Sequence, residues 1–427
     1  MARKKIREFD AKRLLREHAA RLSNLALPLA VHQVRLGGPT LLEQSKDVDR
    51  SSRFVVKPDM LFGKRGKQNL IKLNASLQEA HDWIEERMGQ SVCVNDVTGR
   101  MTSFVVEPFV PHEREFYFSI RSVREGEMVS FSTAGGMDIE EHWDLVKQIL
   151  IVPGQRLEDA AISDLFVSAN LSDQELHAIA AFIRACFLVY VDLDMTLLEC
   201  NPFTILNNFT AFPLDLRVEL DSYASFRNVR KWGENLEFPE PWGREKSEEE
   251  SCIQELDEKS GASLKFTILN DPHTSRIWTM VAGGGASVIF ADTVINMGYG
   301  KLLANYAEYS GAPKEQETYL YARTVLKIAT RSSDGHNRAL LLGGGVANFT
   351  DVLSSFKGII AAFNEFHGKL QACRFKIFVR RGGPNEKAGL RLMKQIGDEL
   401  QIPIEVYGPD TNMTSIVSRA IDWIESH

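Results

Sequence analysis

The sequence lacks any long hydrophobic run. No uncharged stretch among its 427 residues is longer than 15 residues, and the one at 277–291 contains three glycines. A helix that spans a membrane needs about 20 consecutive, mostly apolar residues. We therefore expect a soluble protein without a membrane partner.

The sequence also lacks a cysteine pattern and an excess of positive charge. Its five cysteines are scattered without CxxC or CxxH spacing, which argues against a disulfide framework and a common zinc site. The net charge of -7, without a basic stripe, gives no support for nucleic-acid binding. The N-terminal segment is basic but contains acidic residues and no apolar core, so neither a secretory signal nor a transit peptide fits. A cytosolic protein with reduced thiols is expected.

What is present is the composition of a globular protein, with 44% apolar and 25% charged residues. The length predicts two or three domains. Between residues 238 and 263, the proline- and glycine-containing segment FPEPWG precedes the charged run REKSEEES. This change in composition indicates a domain boundary. We divide the sequence into a first region at 1–240, a linker at 241–262 and a second domain at 263–427.

Beyond the boundary, apolar runs alternate with glycine turns and helical stretches. The runs lie at 276–282, 339–342, 375–379 and 404–407, and helices are expected at 286–297, from about 350, up to 400 and at 412–425. This alternation predicts an open parallel sheet with helices on both faces. Ligands bind such sheets beyond the carboxyl ends of the strands, where these glycine turns lie.

The first 240 residues alternate less regularly. Strands are expected at 53–57, 103–110, 116–122, 128–132, 196–198 and 212–217, mixed with helices at 77–88 and 172–190. The mixture predicts an α+β arrangement of two lobes.

A candidate phosphate site lies at the end of the strand RFVVKPD, which is followed by FGKRGKQ. The strand would hold Lys57 as a fixed positive charge, and Gly66 would let backbone N–H groups approach phosphate oxygens. Because such loops are common, a solvated basic turn is the alternative. In the following segment, VVEPFVPHERE, backbone groups at 107–110 could read an adenine edge and Glu115 could hold a ribose. Taken alone, that segment is better explained as an ordinary connection between strands.

Three short oxygen donors, Glu199, Asn201 and Asp215, stand at strand ends in LLECNPF and PLDLRVELD. Their burial without partners would be costly, and hard oxygen donors beside phosphate-binding elements suit Mg²⁺. A hydrogen-bonded turn at Asn201-Pro202 is the competing interpretation, but the neighbouring lysine loop favours the metal.

The second domain contains a candidate anion site. The segment GGGVANFT at 343–350 is expected to open a helix whose free N–H groups attract an anion. Arg380 and Arg381 end the next strand, and a guanidinium suits a carboxylate through bidentate hydrogen bonds. A phosphate or a dinucleotide would fit the same chemistry, although neither glycine run matches GxGxxG. A purely structural glycine turn is the alternative interpretation.

Taken together, the sequence resembles the ATP citrate lyase family, in the N-terminal half of its single-chain form or the smaller subunit of its two-chain form. The resemblance covers residues 53 to about 408 in FVVKPDMLFGKRGK, VVEPFVPH, WGENLEFPEPWGR, LDEKSGASLKFT, RIWTMVAGGGASV, ANYAEYSGAPKE, GGGVANFTDV, FKGII, FVRRGGPN and IPIEVYGP. The parent superfamily is the succinyl-CoA synthetase β subunit. The resemblance implies a two-lobed ATP-grasp domain at 1–240 and a Rossmann- or flavodoxin-like, open parallel-sheet domain that binds citrate at 263–427.

The resemblance also implies the residues that bind each ligand. ATP is expected at Lys57, Arg65, Gly66, Glu107, Pro108, Val110, Glu115 and Asp215. Mg²⁺ is expected at Asn201 and Asp215, and a second cation at Asp257, Ser260 and Ala262. Citrate is expected at Ser310, Gly311, Asn348, Phe349, Thr350, Phe366 and Arg381. Phe366 stands where some relatives have a tyrosine, so that hydroxyl is missing here.

The family converts citrate, ATP and CoA to acetyl-CoA, oxaloacetate, ADP and phosphate through a phosphohistidine. Of the ten histidines, only His112, His273 and His336 lie near turns, and none has a glycine run followed by a helix start. The expectation is therefore that no catalytic residue lies in this sequence. A larger partner subunit of a hetero-oligomer would carry the phosphohistidine and most of the CoA-binding and lyase parts. A β subunit of another succinyl-CoA synthetase-type ligase and a non-catalytic nucleotide-binding module are the alternatives.

Overall fold

The chain divides into two compact units, one ending at Glu245 and the other beginning at Lys246. The structure is a computed structural model and describes residues 3–46, 49, 51–136, 139–157, 159–167 and 169–426. His427, one of the ten histidines considered above, lies outside the described residues.

The smaller sheet of the first unit has four antiparallel strands in the order β2-β7-β3-β4. These strands are β2 (His32–Arg35), β3 (Phe54–Pro58), β4 (Lys72–Ala75) and β7 (Ser103–Pro108), and a hairpin of β5 (Ser91–Val94) and β6 (Val97–Arg100) lies between β4 and β7 in sequence. Two helices, α2 (Leu41–Gln44) and α3 (Leu77–Arg87), accompany it. Val56, Ile84 and Phe104 are fully buried in its core, since one face of each element is apolar.

The larger sheet of the first unit has seven antiparallel strands in the order β1-β13-β11-β8-β9-β10, with β12 paired to β11. They are β1 (Arg3–Lys5), β8 (Phe116–Ser122), β9 (Glu127–Ser132), β10 (Lys147–Ile151), β11 (Met195–Ile205), β12 (Ala211–Pro213) and β13 (Leu216–Asp221). The helices are α1 (Glu8–Ser23), α4 (Asp159–Leu165), α5 (Asp173–Asp192) and α6 (Ser225–Trp232). The expected strand at 212–217 is interrupted, because a turn between β12 and β13 exposes Asp215 at the sheet end.

Helix α5 is long and apolar enough, by length and composition alone, to cross a membrane. Half of its most apolar window is buried, however, and Phe182 on its inner face packs against Phe118 and Phe203 of the sheet. The inner face of α5 thus belongs to the core of the first unit.

The second unit contains a six-stranded sheet in the order β14-β16-β15-β17-β18-β19. The strands are β14 (Ser263–Ile268), β15 (Ile277–Ala282), β16 (Asn305–Ser310), β17 (Arg338–Gly344), β18 (Phe375–Arg380) and β19 (Ile404–Tyr407). The strands from β15 to β19 are parallel, and β14 is an antiparallel edge strand. The helices are α7 (Glu248–Lys259), α8 (Gly284–Asn296), α9 (Glu315–Ala329), α10 (Val352–Ala372), α11 (Glu386–Leu400) and α12 (Ser415–Glu425).

Helices cover both faces of this sheet, as the sequence predicted. One buried cluster joins α7, α9, α10 and α11 to the strands, and another joins α8 and α12 to the opposite face. The chain runs from β15 outward to β16 and then returns to β17 on the other side. The carboxyl ends of β15 and β17 therefore flank a topological switch point, where open α/β sheets bind ligands.

The expected linker at 241–262 is largely a helix of the second unit, which is a correction. Ser247 and Glu250 form a capping box at the start of α7, so the acidic run is a helix start that suits the helix dipole. Its carboxylates are also used inside the unit, since Glu250 accepts a hydrogen bond from the backbone N–H of Ile268 at 3.0 Å. Charge density alone could not distinguish this helix from a solvated linker.

Candidate active site

Lys57 is buried at the end of β3, so it does not belong to a solvated turn. Its Nζ lies 3.0 Å from Oε1 of Glu8 and 2.5 Å from Oε1 of Glu107, and it donates to the carbonyl of Leu214. The three protons of the ammonium group thus have three acceptors. A strand residue that is held in this way presents a fixed charge, as phosphate binding requires.

Arg65 joins the same cluster from the basic loop. Its Nη2 lies 2.6 Å from Oε2 of Glu8 and 2.7 Å from Oδ2 of Asp215, and Nη1 donates to the carbonyl of Pro58 at 3.1 Å. Gly66, the next residue, begins a short 3₁₀ turn at Gly66–Gln68. The lysine strand and the basic loop therefore converge on one point, as the sequence predicted.

Two residues of this cluster escaped the sequence analysis. Glu8 and Lys12 lie one turn apart on α1, with Nζ of Lys12 2.9 Å from Oε1 of Glu8, and Lys12 also bonds Glu107. Both residues are buried on the face of α1 that carries its apolar side chains. A charged pair at i and i+4 among inward-facing positions was the available signal.

The electrostatics of the cluster reflect a balance of three cations and three carboxylates. Burial alone would raise the pKa of Glu8, but Arg65, Lys12 and Lys57 together hold it well below its usual range. Burial would lower the pKa of Lys12, yet Glu107 and Glu8 raise it above its ordinary value. Glu8 and Lys12 are therefore charged at neutral pH, and pairing with their neighbours offsets the cost of burial.

The segment expected at the adenine differs in one respect from the prediction. The side chain of Glu107 points to the two lysines, so its contribution is a carboxylate as well as a backbone group. Pro108 ends β7, and Val110 is half-buried against the core of the larger lobe. Glu115 is partly exposed, as a residue that binds a ribose would need to be. Its Oε1 lies 3.1 Å from Nε2 of His112.

Asn201 and Asp215, both predicted as metal ligands, are neighbours through their backbones. The side-chain Oδ1 of Asn201 accepts a hydrogen bond from the backbone N–H of Gly136 at 2.8 Å. The backbone N–H of Asn201 donates to the backbone carbonyl of Asp215 at 3.1 Å. The carboxylate of Asp215 is 42% exposed, so it can reach a ligand. Burial raises the pKa of Glu199, opposed by Arg217, and the negative charge of Asp215 adds to the increase.

These donors fit Mg²⁺ only in combination with a nucleotide. No group of three His, Cys, Asp or Glu side chains that could hold a metal occurs within the described ranges. Mg²⁺ commonly takes one or two carboxylates and completes its shell with phosphates and water. Asn201 and Asp215 match such a donor set.

The predicted second cation element is occupied by internal contacts. Asp257 accepts from the N–H of Leu264 at 2.7 Å and lies 2.5 Å from Nζ of Lys265. The hydroxyl of Ser260 accepts from the N–H of Ala262 at 2.9 Å. These contacts are those of a helix end joined to an edge strand, and the carboxylate already has a cation.

The residues predicted for citrate lie at the carboxyl edge of the second sheet, with one exception. Ser310 ends β16, and Gly311 follows in the left-handed region at φ 76°, which favours glycine. Asn348 and Phe349 are exposed after β17, and Thr350 is buried beside them. Arg381 follows β18.

The two consecutive arginines have different roles, which the sequence could not separate. Arg380 donates to three backbone carbonyls, those of Gly344, Pro409 and Thr411, at 2.8–3.0 Å. Arg381 makes one such bond, from Nη1 to the carbonyl of Gly345 at 2.9 Å. Within the described part of the chain, Arg381 therefore has guanidinium N–H groups left that could bind a ligand. Arg380 instead holds together the segments that contain Gly344, Pro409 and Thr411.

Two expectations for this edge need correction. The helix after β17 begins at Val352, and the carboxylate of Asp351 caps it by accepting from the N–H of Ser354 at 2.9 Å, so its first turn already faces an anion. Phe366 is buried in the middle of α10 within the helical core. With 1.5 Å rise per residue it lies about 20 Å along the helix from the sheet edge.

One cavity of the second unit, of about 330 Å³, is lined by Phe366 but by no other residue predicted for citrate. One of about 500 Å³ in the first unit is lined by the β5–β6 hairpin and residues 239–245. None of the residues predicted for ATP lines it.

Comparison with known proteins agrees with the fold. Residues 2–232 match the family model "ATP-citrate synthase ATP-grasp domain", and residues 244–423 match "ATP citrate lyase citrate-binding". The chain is 51% identical to ATP-citrate synthase alpha chain protein 2 of Arabidopsis thaliana, over 99% of both proteins. The chain belongs to the ATP citrate lyase family.

Within this family the relatives include proteins named as alpha chains and proteins that are much longer than this chain. The chain is 44% identical to the ATP-citrate synthase of Bos taurus over 90% of its own length, which corresponds to 34% of the bovine protein. It superposes with a TM-score of 0.89 and 41% identity on an ATP citrate lyase from Methanothrix soehngenii, solved with citrate and coenzyme A, covering 99% of this chain and 100% of that chain. These relatives establish an ATP-citrate synthase subunit with an ATP-grasp and a citrate-binding domain, which favours this reading over the two alternatives.

Proposed function

We propose that the first unit binds Mg²⁺–ATP, that the second binds citrate, and that a separate larger subunit accepts the phosphoryl group on a histidine. That subunit would also carry most of the CoA-binding and lyase parts in a cytosolic hetero-oligomer. The observation that carries the citrate assignment is Arg381, which makes one protein hydrogen bond at a ligand-binding sheet edge while Arg380 makes three. The bovine relative supports the proposal of a larger partner subunit, because most of that protein lies outside the segment that this chain matches.

In the ATP site, this chain positions the nucleotide and neutralises its charge. Lys57 and Arg65 would hold the phosphates, the N–H groups near Gly66 would add hydrogen bonds, and Glu115 would hold the ribose. Pro108 and Val110 would contact the adenine. Phosphoryl transfer depends mainly on such positioning and electrostatic stabilisation. Asn201 and Asp215 would hold Mg²⁺, which when bound neutralises charge on the phosphates.

In the citrate site, the Arg381 guanidinium would clamp a carboxylate. Ser310 and Thr350 offer hydroxyl groups, Gly311 and Asn348 offer backbone or amide groups, and the exposed ring of Phe349 would cover the ligand. Bound in this way, one citrate carboxylate is held ready to receive the phosphoryl group from the partner's histidine. Phe366 and the element at Asp257, Ser260 and Ala262 are left out of the proposal, because the first is remote and the second is internally paired.

The proposal is tested by reconstitution. The purified chain should bind ATP and citrate separately, and citrate should compete far better than succinate in a calorimetric titration. Co-expression with the larger subunit should yield a complex that forms acetyl-CoA only when citrate, CoA and ATP are all present. Tighter binding of succinate than of citrate would favour a ligase of the succinyl-CoA synthetase type instead.

A further inference from the structure

The carboxylate of Glu8 bridges the two cations that the proposed function assigns to nucleotide phosphates. Oε1 lies 3.0 Å from Nζ of Lys57, and Oε2 lies 2.6 Å from Nη2 of Arg65. Glu107 contacts Lys57, and Asp215 contacts Arg65, whereas Glu8 contacts both. A phosphate group that touches both cations from the same side would have to take the position of the Glu8 carboxylate.

The fit of Glu8 to this position is incomplete. Its Oε2 is buried and accepts no aligned hydrogen bond from the described residues, although Arg65 is within ion-pair distance. The contact with Arg65 is a 2.6 Å ion pair whose hydrogen-bond geometry falls short of alignment. A phosphate oxygen placed by the nucleotide has freedom to align better with the guanidinium.

The remaining pairs would keep the cluster in balance after an exchange. Lys57 already has three oxygen partners, because it donates to Glu8 and to the carbonyl of Leu214 and forms an ion pair with Glu107. If a phosphate replaces Glu8, Lys12 and Lys57 still have Glu107, and Arg65 gains the phosphate. Loss of Glu8 without such a replacement would leave buried positive charge uncompensated, which is strongly unfavourable.

We propose that Glu8 is an internal anion that occupies a phosphate position of the empty ATP site and is displaced when the nucleotide binds. This inference rests on the proposed roles of Lys57 and Arg65. Glu8 would then stabilise the empty protein and at the same time lower its nucleotide affinity. A residue that only supports the fold, or only orients the two cations, would not combine these two effects.

The decisive variant is Glu8→Gln, which keeps the shape of the side chain and removes its charge. We expect a lower melting temperature without ligand, but about tenfold tighter binding of ATP and of tripolyphosphate, since a competing charged contact is gone. Adenosine, which lacks phosphate, should bind as it does to the wild type. Glu17→Gln, on the exposed side of the same helix, is the matched control and should change neither property.

A second variant keeps the test decisive if Glu8→Gln does not fold. Glu8→Asp retains the charge but shortens its reach to Lys57 and Arg65, so ATP affinity should rise by a smaller factor. Unchanged or weaker binding of ATP and tripolyphosphate in the folded variant would overturn the inference. Lys57→Ala and Arg65→Ala separate this result from a failure of the proposed function, because ATP affinity that survives both changes would refute the site itself.

Discussion

The guanidinium of Arg381 fills the space into which a side chain at Gly344 would project. Its Nη1 lies 2.7 Å from the position that a Cβ atom on Gly344 would take. Gly344 is the last residue of β17, and the same Nη1 donates to the carbonyl of Gly345 at 2.9 Å. The arginine proposed for citrate thus packs against a strand end that has no side chain.

Gly344→Ala should therefore displace Arg381 and weaken citrate binding by about tenfold or more, the effect of losing a hydrogen bond to a charged group. Isothermal titration of citrate measures the change. Gly345→Ala is the matched control, since a Cβ there would meet nothing within 4 Å. Equal citrate affinities in the two variants would show that Arg381 is not positioned for citrate.

Arg381→Ala should weaken citrate binding by about 2–5 kcal/mol and leave ATP binding nearly unchanged, because the other charge of the pair loses its partner. Arg381→Lys should recover only part of the loss, since a point charge cannot replace the planar fork. Arg380→Ala should instead lower the melting temperature, because three carbonyls lose their donor. Unchanged citrate affinity in Arg381→Ala would refute the proposal that Arg381 binds citrate.

Lys57→Ala and Asp215→Asn should both impair phosphorylation of the partner subunit, for different reasons. The first removes a fixed charge from the phosphates, and the second removes a proposed carboxylate ligand of Mg²⁺. A Mg²⁺ titration of phosphoryl transfer should partly rescue Asp215→Asn and not Lys57→Ala. Rescue of both variants, or of neither, would count against these roles.

Glu199→Gln should stabilise the protein at neutral pH. Burial raises the pKa of Glu199 in the folded state, so its charged form costs stability above the ordinary glutamate pKa. That cost disappears as the pH falls and the group is protonated, at about pH 4 in the unfolded chain. Thermal melts at pH 7 and pH 4 should show a higher melting temperature for the variant only at pH 7, and a lower value at pH 7 would contradict the assigned direction.

The purified chain should form no acid-labile phosphohistidine when it is incubated with labelled ATP. His112 contacts the carbonyl of Val110 and Glu115, and His273 contacts Ser332, so neither lies at a helix start that could hold a phosphate. Addition of the larger subunit should place the label on that subunit and restore acetyl-CoA formation. Stable label on a histidine of this chain would overturn the division of labour.

The sequence by itself determined the fold class and supplied the candidate residues for the two proposed sites. Apolar runs ending in glycine turns predicted the parallel sheet, because strands buried on both faces read as continuous apolar segments. RFVVKPD with its basic loop placed Lys57 at a strand end and Arg65 in the loop that follows, and FVRRGGP placed Arg381 directly after a strand. These features are local, so they can be read from neighbouring residues in the chain.

Only the tertiary structure decided which partners each of these residues has within the protein. Arg380 and Arg381 are indistinguishable in sequence, but the loops around them give one three carbonyl partners and leave the other with one. Glu8 reaches Lys57, 49 residues away, because α1 packs against the cluster. Phe366 was predicted to contact citrate, but it lies in the middle of the long helix α10, far from the sheet edge. Contacts between residues distant in sequence depend on how the elements pack, and neither spacing nor composition encodes that packing locally.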